Sequence, residues 1–173
     1  TWAGANCTVS LLMMAVEGLL RHAEVEWIST MTYQAASGGG ARHMRELLAG
    51  MERVAEVTQA AGNASVLEIE RRVTAALRDG SMPTKLFEAP LAASLIPWID
   101  RAVGEGRTRE EWKASAEANK MLATSEFVPI DGICVRVGAL RCHSQGLTIK
   151  LKRDLPFDEV QHLLASANPW VKV

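Results

Sequence analysis

The strongest constraint on the fold is a change of apolar periodicity within the first 40 residues. Residues 7–21 are apolar nearly all round, which predicts a buried helix, and Asn6 is a residue type that suits its N-cap. Residues 25–33 are rich in β-branched and aromatic side chains, which predicts a strand. This strand leads into a glycine-rich loop at 34–40. The opening pattern therefore excludes an all-helical or an all-strand chain.

Two more helices are predicted in the next forty residues. Apolar residues recur at helical spacing from Met44 to Ala55, and Gly62 breaks this pattern. Residues 66–77 form a second amphipathic pattern, which Asp79 and Gly80 end. Residues 81–107 contain three prolines and are expected to be loop with short extended pieces.

The last third of the chain begins with a helix and then changes to strands. Thr108 followed by Glu111 forms a capping box, and the helix is expected to reach about Leu122. Strands are predicted at 132–137 and 147–152, and a short helix follows at 157–164. In the second strand, three alternating apolar residues should face inward, namely Leu147, Ile149 and Leu151.

These elements predict an α+β fold, a mixed β-sheet with helices packed on it. The chain has 173 residues, of which 48% are hydrophobic and 23% charged, so it can bury a core of its own. This length suits one domain or a large piece of one.

Charge and cysteine content exclude several classes of function. The net charge is −1 without a basic block, so neither nucleic acid nor a membrane is an expected partner. The three cysteines, Cys7, Cys134 and Cys142, match neither a disulfide framework nor a metal motif. We therefore expect a cytoplasmic protein with free thiols and no metal site.

Cys7 is the first candidate for chemistry because it begins the predicted helix. The N–H groups and partial positive charge of a helix N-terminus favour a thiolate and can hold an oxyanion. A buried structural sulfur is the alternative. His143 could act as a general base, and it could form a couple with Cys7 but not with its neighbour Cys142, which would face the other side of a strand.

Two further patterns allow both a functional and a structural interpretation. Glu110 and Lys113 lie one helical turn apart and share a face. They could bind a zwitterion, or they could form a solvated ion pair. The loop Ser37-Gly38-Gly39-Gly40 precedes a helix and could hold phosphate or could simply connect two elements.

Longer motifs taken together resemble one family. In chain order they are GANCTVSLLMM, TYQAASGGGARHMRELL, SLIPWID, TREEWK and CVRVGALRCHSQ. In this order and spacing they resemble bacterial aspartate-semialdehyde dehydrogenase over nearly the whole chain. The resemblance implies NADPH-dependent reduction of β-aspartyl phosphate to aspartate semialdehyde and phosphate, a step toward lysine, methionine and threonine, by a homodimer.

The resemblance also assigns catalytic and coenzyme roles. Cys7 matches the nucleophile that forms a thioester, His143 the general acid/base, and Gln34 the residue that orients the reacting groups. Ser37 and Gly38 match a loop near the bound NADP.

Four further residues match the substrate site of the family. Arg136 is similar to the arginine that binds the α-carboxylate, and Glu110 to the residue that receives the amino group. Lys113 and Asn6 resemble part of the phosphate site. Arg136 and His143 are seven residues apart, so both can face one site only if the chain bends between them, for which Gly138 is the expected place.

The expected domain content is a catalytic and dimerisation domain in part, spanning residues 1–173. The N-terminal NADP-binding Rossmann domain and a C-terminal segment of the family are expected to be absent from these residues, so the chain alone should not turn over. Two alternatives stay open: a noncatalytic dimerisation or interaction module, and a Cys/His hydrolase that needs no coenzyme.

Overall fold

The structure, a computed structural model, describes residues 4, 6–22, 25–123 and 126–173. The helices within these residues are α1 Cys7–Arg21, α2 Ala41–Ala60, α3 Val66–Arg78, α4 Arg109–Leu122 and α5 Phe157–Ser166. The strands are β1 Val25–Gln34, β2 Leu95–Ile96, β3 Ala102–Gly104, β4 Arg107–Thr108, β5 Ile130–Val137 and β6 Ser144–Leu151. A short 3-10 helix covers Ala36–Gly39. The predicted helices and long strands are thus confirmed.

The strands form one larger sheet and one hairpin. The larger sheet has the order β2-β5-β1-β6, and β2 runs antiparallel to β5 with Leu95 opposite Val137. Strands β3 and β4 form a separate antiparallel hairpin, whose turn residues Glu105 and Gly106 both have positive φ. Positive φ at both central positions is typical of a two-residue type I′ hairpin turn. The predicted α+β class is confirmed.

The chain divides into two compact units, and the first is built around α1. This unit comprises Thr1–Thr32, Ile99–Cys134 and Ser144–Val173. Helix α1 packs against α4 and α5, and a Cβ at Gly18 would lie only 1.9 Å from the carbonyl oxygen of Leu163. The predicted inward residues of β6 are half-buried and pack against the core of this unit.

The second unit comprises Tyr33–Trp98 and Val135–His143. Its core lies beneath α2 and includes the buried side chains of Leu47, Met82 and Leu91. Glu46 on α2 accepts hydrogen bonds from the backbone N–H groups of Leu86 and Phe87, at 2.8 to 3.0 Å. These bonds hold an irregular segment of the chain onto the helix.

The expected change of direction near Gly138 takes the form of a strand end. Strand β5 stops at Val137, and the N–H of Ala139 donates to the carbonyl of Val137 at 2.8 Å. His143 therefore lies in the connection to β6 and not on a strand. The rule that an odd separation places two side chains on opposite faces of a strand therefore does not apply to Arg136 and His143.

Among the described residues, no helix is both long enough and apolar enough to cross a bilayer.

Candidate active site

The nine predicted site residues lie in two clusters, one in each unit. The first unit holds four of them, Asn6, Cys7, Glu110 and Lys113. The second unit holds five, Gln34, Ser37, Gly38, Arg136 and His143.

Asn6 fixes the start of the helix that carries Cys7. Its side-chain oxygen accepts hydrogen bonds from the N–H of Thr8 at 3.0 Å, from the hydroxyl of Thr8 at 2.7 Å and from the N–H of Val9 at 3.3 Å. The predicted N-cap is confirmed, and such a cap satisfies N–H groups that the helix itself leaves unpaired. Cys7 follows directly and is exposed, so its sulfur is open to reagents, unlike buried Cys134.

Helix α4 holds Asn6 from the other side. The Asn6 side-chain amide donates to Glu110 at 2.9 Å, and the Asn6 backbone N–H donates to Glu117 at 2.9 Å. Glu110 and Glu117 are seven residues apart and therefore share one face of α4. The start of α4 is itself fixed by the predicted capping box of Thr108 and Glu111. One helix face thus orients the residue that precedes the thiol.

Glu110 and Lys113 form an ion pair, as their shared helix face allowed, but the pair is largely buried and not solvated. Glu110 is only 6% exposed, and its second oxygen accepts a hydrogen bond from Lys113 Nζ at 3.0 Å. The carboxylate of Asp100 lies 3.6 Å from the same Nζ. Partial burial works to lower the pKa of Lys113, but the hydrogen bond to Glu110 and the charges of Glu110 and Asp100 outweigh it and raise the pKa.

The raised pKa gives a prediction for Lys113→Met. Because the folded pKa is above the unfolded value, the lysine stabilises fully below about pH 10.4, and this stabilisation is lost as the pH rises through the folded pKa. The variant leaves the Glu110 carboxylate buried without its ammonium partner, which should cost roughly 3 kcal/mol. Urea unfolding between pH 7 and 11 should show this difference shrinking only above about pH 10.4. Lys120→Met, at an exposed position of α4, is the control and should cost little at any pH; an equal loss in both variants would contradict the prediction.

In the second unit, three successive peptide N–H groups bind the connection between β5 and β6. The N–H of Ala35 donates to His143 Nδ1 at 3.1 Å, that of Ala36 to the carbonyl of Ala139 at 2.8 Å, and that of Ser37 to the carbonyl of Leu140 at 3.0 Å. Gln34, just before them at the end of β1, is buried with 1% exposure. The start of the glycine-rich loop therefore holds the segment 139–143, which carries His143, in a fixed position.

Arg136 and His143 come together beside Gly38. Arg136 is buried, and its Nη1 donates to the carbonyl of Ala35 at 2.8 Å. A Cβ at Gly38 would lie 2.8 Å from that Nη1 and 3.3 Å from His143 Nε2. Only glycine leaves this space open, so the guanidinium and the imidazole flank one small gap. Two such groups suit a substrate that carries anionic oxygen atoms.

Three residues of these clusters were missed in the sequence as parts of a site. Asp100 carries no local signal, because the β3–β4 hairpin separates it from Lys113 in the chain. Glu117 continues the charged face of α4, which indicates only a solvated stripe until its bond to Asn6 is known. Ala35 acts through its peptide group, which no side-chain pattern can indicate.

Comparison with known proteins defines the class. The family model described as semialdehyde dehydrogenase, dimerisation domain, matches residues 16–173. Since the match covers most of the chain, this protein belongs to that family. The α+β fold is accordingly that of the dimerisation domain of an oxidoreductase. The predicted resemblance to this family is confirmed.

Among solved structures, this chain is similar to several aspartate semialdehyde dehydrogenases. The aspartate semialdehyde dehydrogenase of Francisella tularensis has a TM-score of 0.93 and 42% sequence identity, over 98% of this chain and 46% of that chain. Aspartate semialdehyde dehydrogenase II of Vibrio cholerae, complexed with ASA, has a TM-score of 0.75 and 21% identity, over 96% and 43% of the two chains. The Candida albicans enzyme, solved with NADP, has a TM-score of 0.53 and 15% identity, over 94% and 34%. The last two show the fold alone, and this chain spans less than half the length of each relative.

Proposed function

We propose that this chain is the acyl-transfer and dimerisation part of an NADP-dependent aspartate-semialdehyde dehydrogenase. The observation that carries the proposal is the exposed thiol of Cys7 on the first turn of a 15-residue helix, with Asn6 before it bound to two carboxylates of α4. A thiol held this rigidly suits a nucleophile that must meet an acyl carbon in one orientation. The proposed place of action is the cytoplasm, in lysine, methionine and threonine synthesis.

The first proposed step needs only the residues of this chain and the substrate. The Cys7 thiolate attacks the acyl carbon of β-aspartyl phosphate, a carbon–sulfur bond forms, and the carbon–oxygen bond to phosphate breaks with its electron pair on the leaving phosphate. The product is a thioester on Cys7. Asn6 already accepts from the N–H groups of Thr8, Val9 and Ser10, so the N–H of Cys7 itself is proposed to stabilise the intermediate oxyanion.

The remaining groups match the charges of the substrate. Arg136 is proposed to bind the α-carboxylate through its planar guanidinium, and Glu110 to receive the ammonium group. Lys113 and Asn6 are proposed for the phosphate, with the ammonium of Lys113 as the cation. His143 and Gln34 are proposed to manage proton transfer and orientation at the reacting carbon.

The coenzyme fits this chain only in part. Residues Gly38 to Gly40 are exposed and carry no side chains, so the flat nicotinamide end of NADPH could approach them, with Ser37 beside them. Bound there, NADPH would supply the hydride that converts the thioester to the aldehyde. The rest of a dinucleotide needs a phosphate-binding turn, which we propose lies in a separate coenzyme domain.

A chimera tests this function. These 173 residues would replace the matching segment of the Francisella tularensis enzyme, and NADPH oxidation would be followed with β-aspartyl phosphate. We expect substrate-dependent oxidation by the chimera and none by the isolated chain. A folded chimera without this activity would reject the proposed enzyme, and an NADP-dependent rate from the isolated chain would reject its need for a coenzyme domain.

The description of the matching family favours a second, compatible role as a dimerisation module. On the first unit, Met31 of β1 and Ile133 of β5 are 49% and 45% exposed, which leaves apolar surface for a second copy. We propose a homodimer. Light scattering on the isolated chain should then give twice its mass of 18.8 kDa, and a monomeric mass at micromolar concentration would contradict it.

A further inference from the structure

The peptide group of Ala35 contacts two of the proposed site residues at once. Its N–H donates to His143 Nδ1 at 3.1 Å, and its carbonyl oxygen accepts from Arg136 Nη1 at 2.8 Å. Ala35 is fully buried and its bond to Arg136 is buried as well, whereas the bond to His143 is partly buried. A single peptide plane thereby fixes both an imidazole and a guanidinium.

The direction of the first bond determines where the imidazole carries its proton. A peptide N–H can only donate, so the Nδ1 that faces it must be the acceptor. In a neutral imidazole one nitrogen is the donor and the other the acceptor, and the hydrogen bond of one nitrogen sets the state of the other. The neighbouring bonds from Ala36 and Ser37 keep the segment before His143 in place, so the ring cannot readily move away from Ala35.

We propose that the Ala35 peptide is a positioning group that holds His143 as the Nε2–H tautomer. Nε2 then faces the gap beside Gly38 as a hydrogen-bond donor, and Arg136 Nη1 borders the same gap as a second donor. Two donors around one gap bind an acceptor, so the gap suits an anionic or carbonyl oxygen and excludes an ammonium group.

This assignment refines the part that His143 plays, and that consequence rests on the proposed function. A neutral Nε2–H polarises a carbonyl or stabilises an oxyanion by donation, as neutral imidazoles do in other enzymes. To accept a proton at Nδ1, the ring would first have to give up the bond from Ala35. His143 therefore acts first as a hydrogen-bond donor at Nε2, and it takes up a proton at Nδ1 only after the bond from Ala35 is broken.

Nitrogen NMR of the isolated, folded chain tests the tautomer without any enzyme assay. With nitrogen-15 histidine and alanine at about pH 8, above the ~6.5 of an ordinary imidazole, the His143 Nδ1 should resonate as an unprotonated nitrogen and Nε2 as a protonated one. A scalar coupling between the Ala35 amide nitrogen and Nδ1 should report the hydrogen bond itself. His22 and His162, both exposed, serve as internal references for a ring without such a partner.

Ala35→Pro provides the matched perturbation. Residue 35 has φ −66°, which proline adopts, and the substitution replaces the donor N–H by a ring CH₂ group that cannot bond to Nδ1 and displaces it. We expect the coupling to vanish and the His143 signals to move toward those of His22. A protonated Nδ1 in the unaltered chain, or the absence of the coupling there, would overturn the proposal even if the variant does not fold. Neither result depends on turnover, so failure here is distinguishable from failure of the proposed enzyme.

Discussion

Replacing Cys7 by serine is expected to lower the turnover of the chimeric enzyme by at least about 1,000-fold, because the covalent step loses its nucleophile. The hydroxyl of serine is almost entirely protonated at neutral pH, whereas a thiol supplies a useful fraction of thiolate. Asn6 and the α4 carboxylates stay in place in this variant, so the fold and the helix cap should be unchanged. The measurement is NADPH oxidation together with mass spectrometry of the peptide that carries the thioester.

Cys142→Ser is the matched control for this experiment. Its thiol is also exposed, but it lies in the β5–β6 connection and not at the start of a helix. Serine is no bulkier than cysteine at the positive φ of 72° found there, so this variant should keep turnover within a few-fold of the parent. Retention of more than a tenth of the activity in Cys7→Ser, or a thioester found on Cys142, would contradict the assignment of Cys7.

A methyl group added at Gly132 should prevent the first unit from folding stably. The Cβ of Gly132→Ala would lie 1.7 Å from the carbonyl oxygen of Thr30, and also within 3 Å of two further backbone atoms of that residue. Strands β5 and β1 are neighbours in the sheet, so the clash can be relieved only by separating paired backbone. We expect a loss of more than about 4 kcal/mol, at the extreme of single substitutions. Urea unfolding followed by circular dichroism measures it.

Gly146→Ala is the corresponding control in β6. A Cβ there would meet no atom within 4 Å, and the residue is exposed. Alanine loses less backbone freedom on folding than glycine, so this variant should be neutral or slightly stabilising. Equal stability of the two alanine variants would show that the sheet can adapt at Gly132 and would contradict the prediction.

Local signals in the sequence located most helix boundaries correctly. The cap at Asn6 and the capping box of Thr108 and Glu111 depend on residues within three positions, which a sequence displays directly. Strand β6 is half-buried with a regular alternation, so its inward residues were also predicted. Such features require no knowledge of what packs against them.

The contacts that form the two clusters join segments far apart in the chain, so local sequence patterns could not predict them. Asn6 meets Glu110 and Glu117 across more than one hundred residues, and Ala35 meets His143 across 108. The resemblance to a family assigned roles to several of these side chains, but it assigned none to the peptide group of Ala35 or to Asp100, although both residues lie within the quoted motifs. Backbone donors and an ion pair brought together by a hairpin appear only once the chain is folded.

The burial of α1 has a consequence for hydrogen exchange in the native state. Leu12 and Val16 on this helix are buried at 1% and 3% exposure, and the helix packs between α4 and α5. Amide protons in such an element exchange only when the surrounding unit opens as a whole. The amides of α1 should therefore be among the slowest to exchange in the first unit. Because this helix carries Cys7, the sulfur is held in one place before any substrate binds.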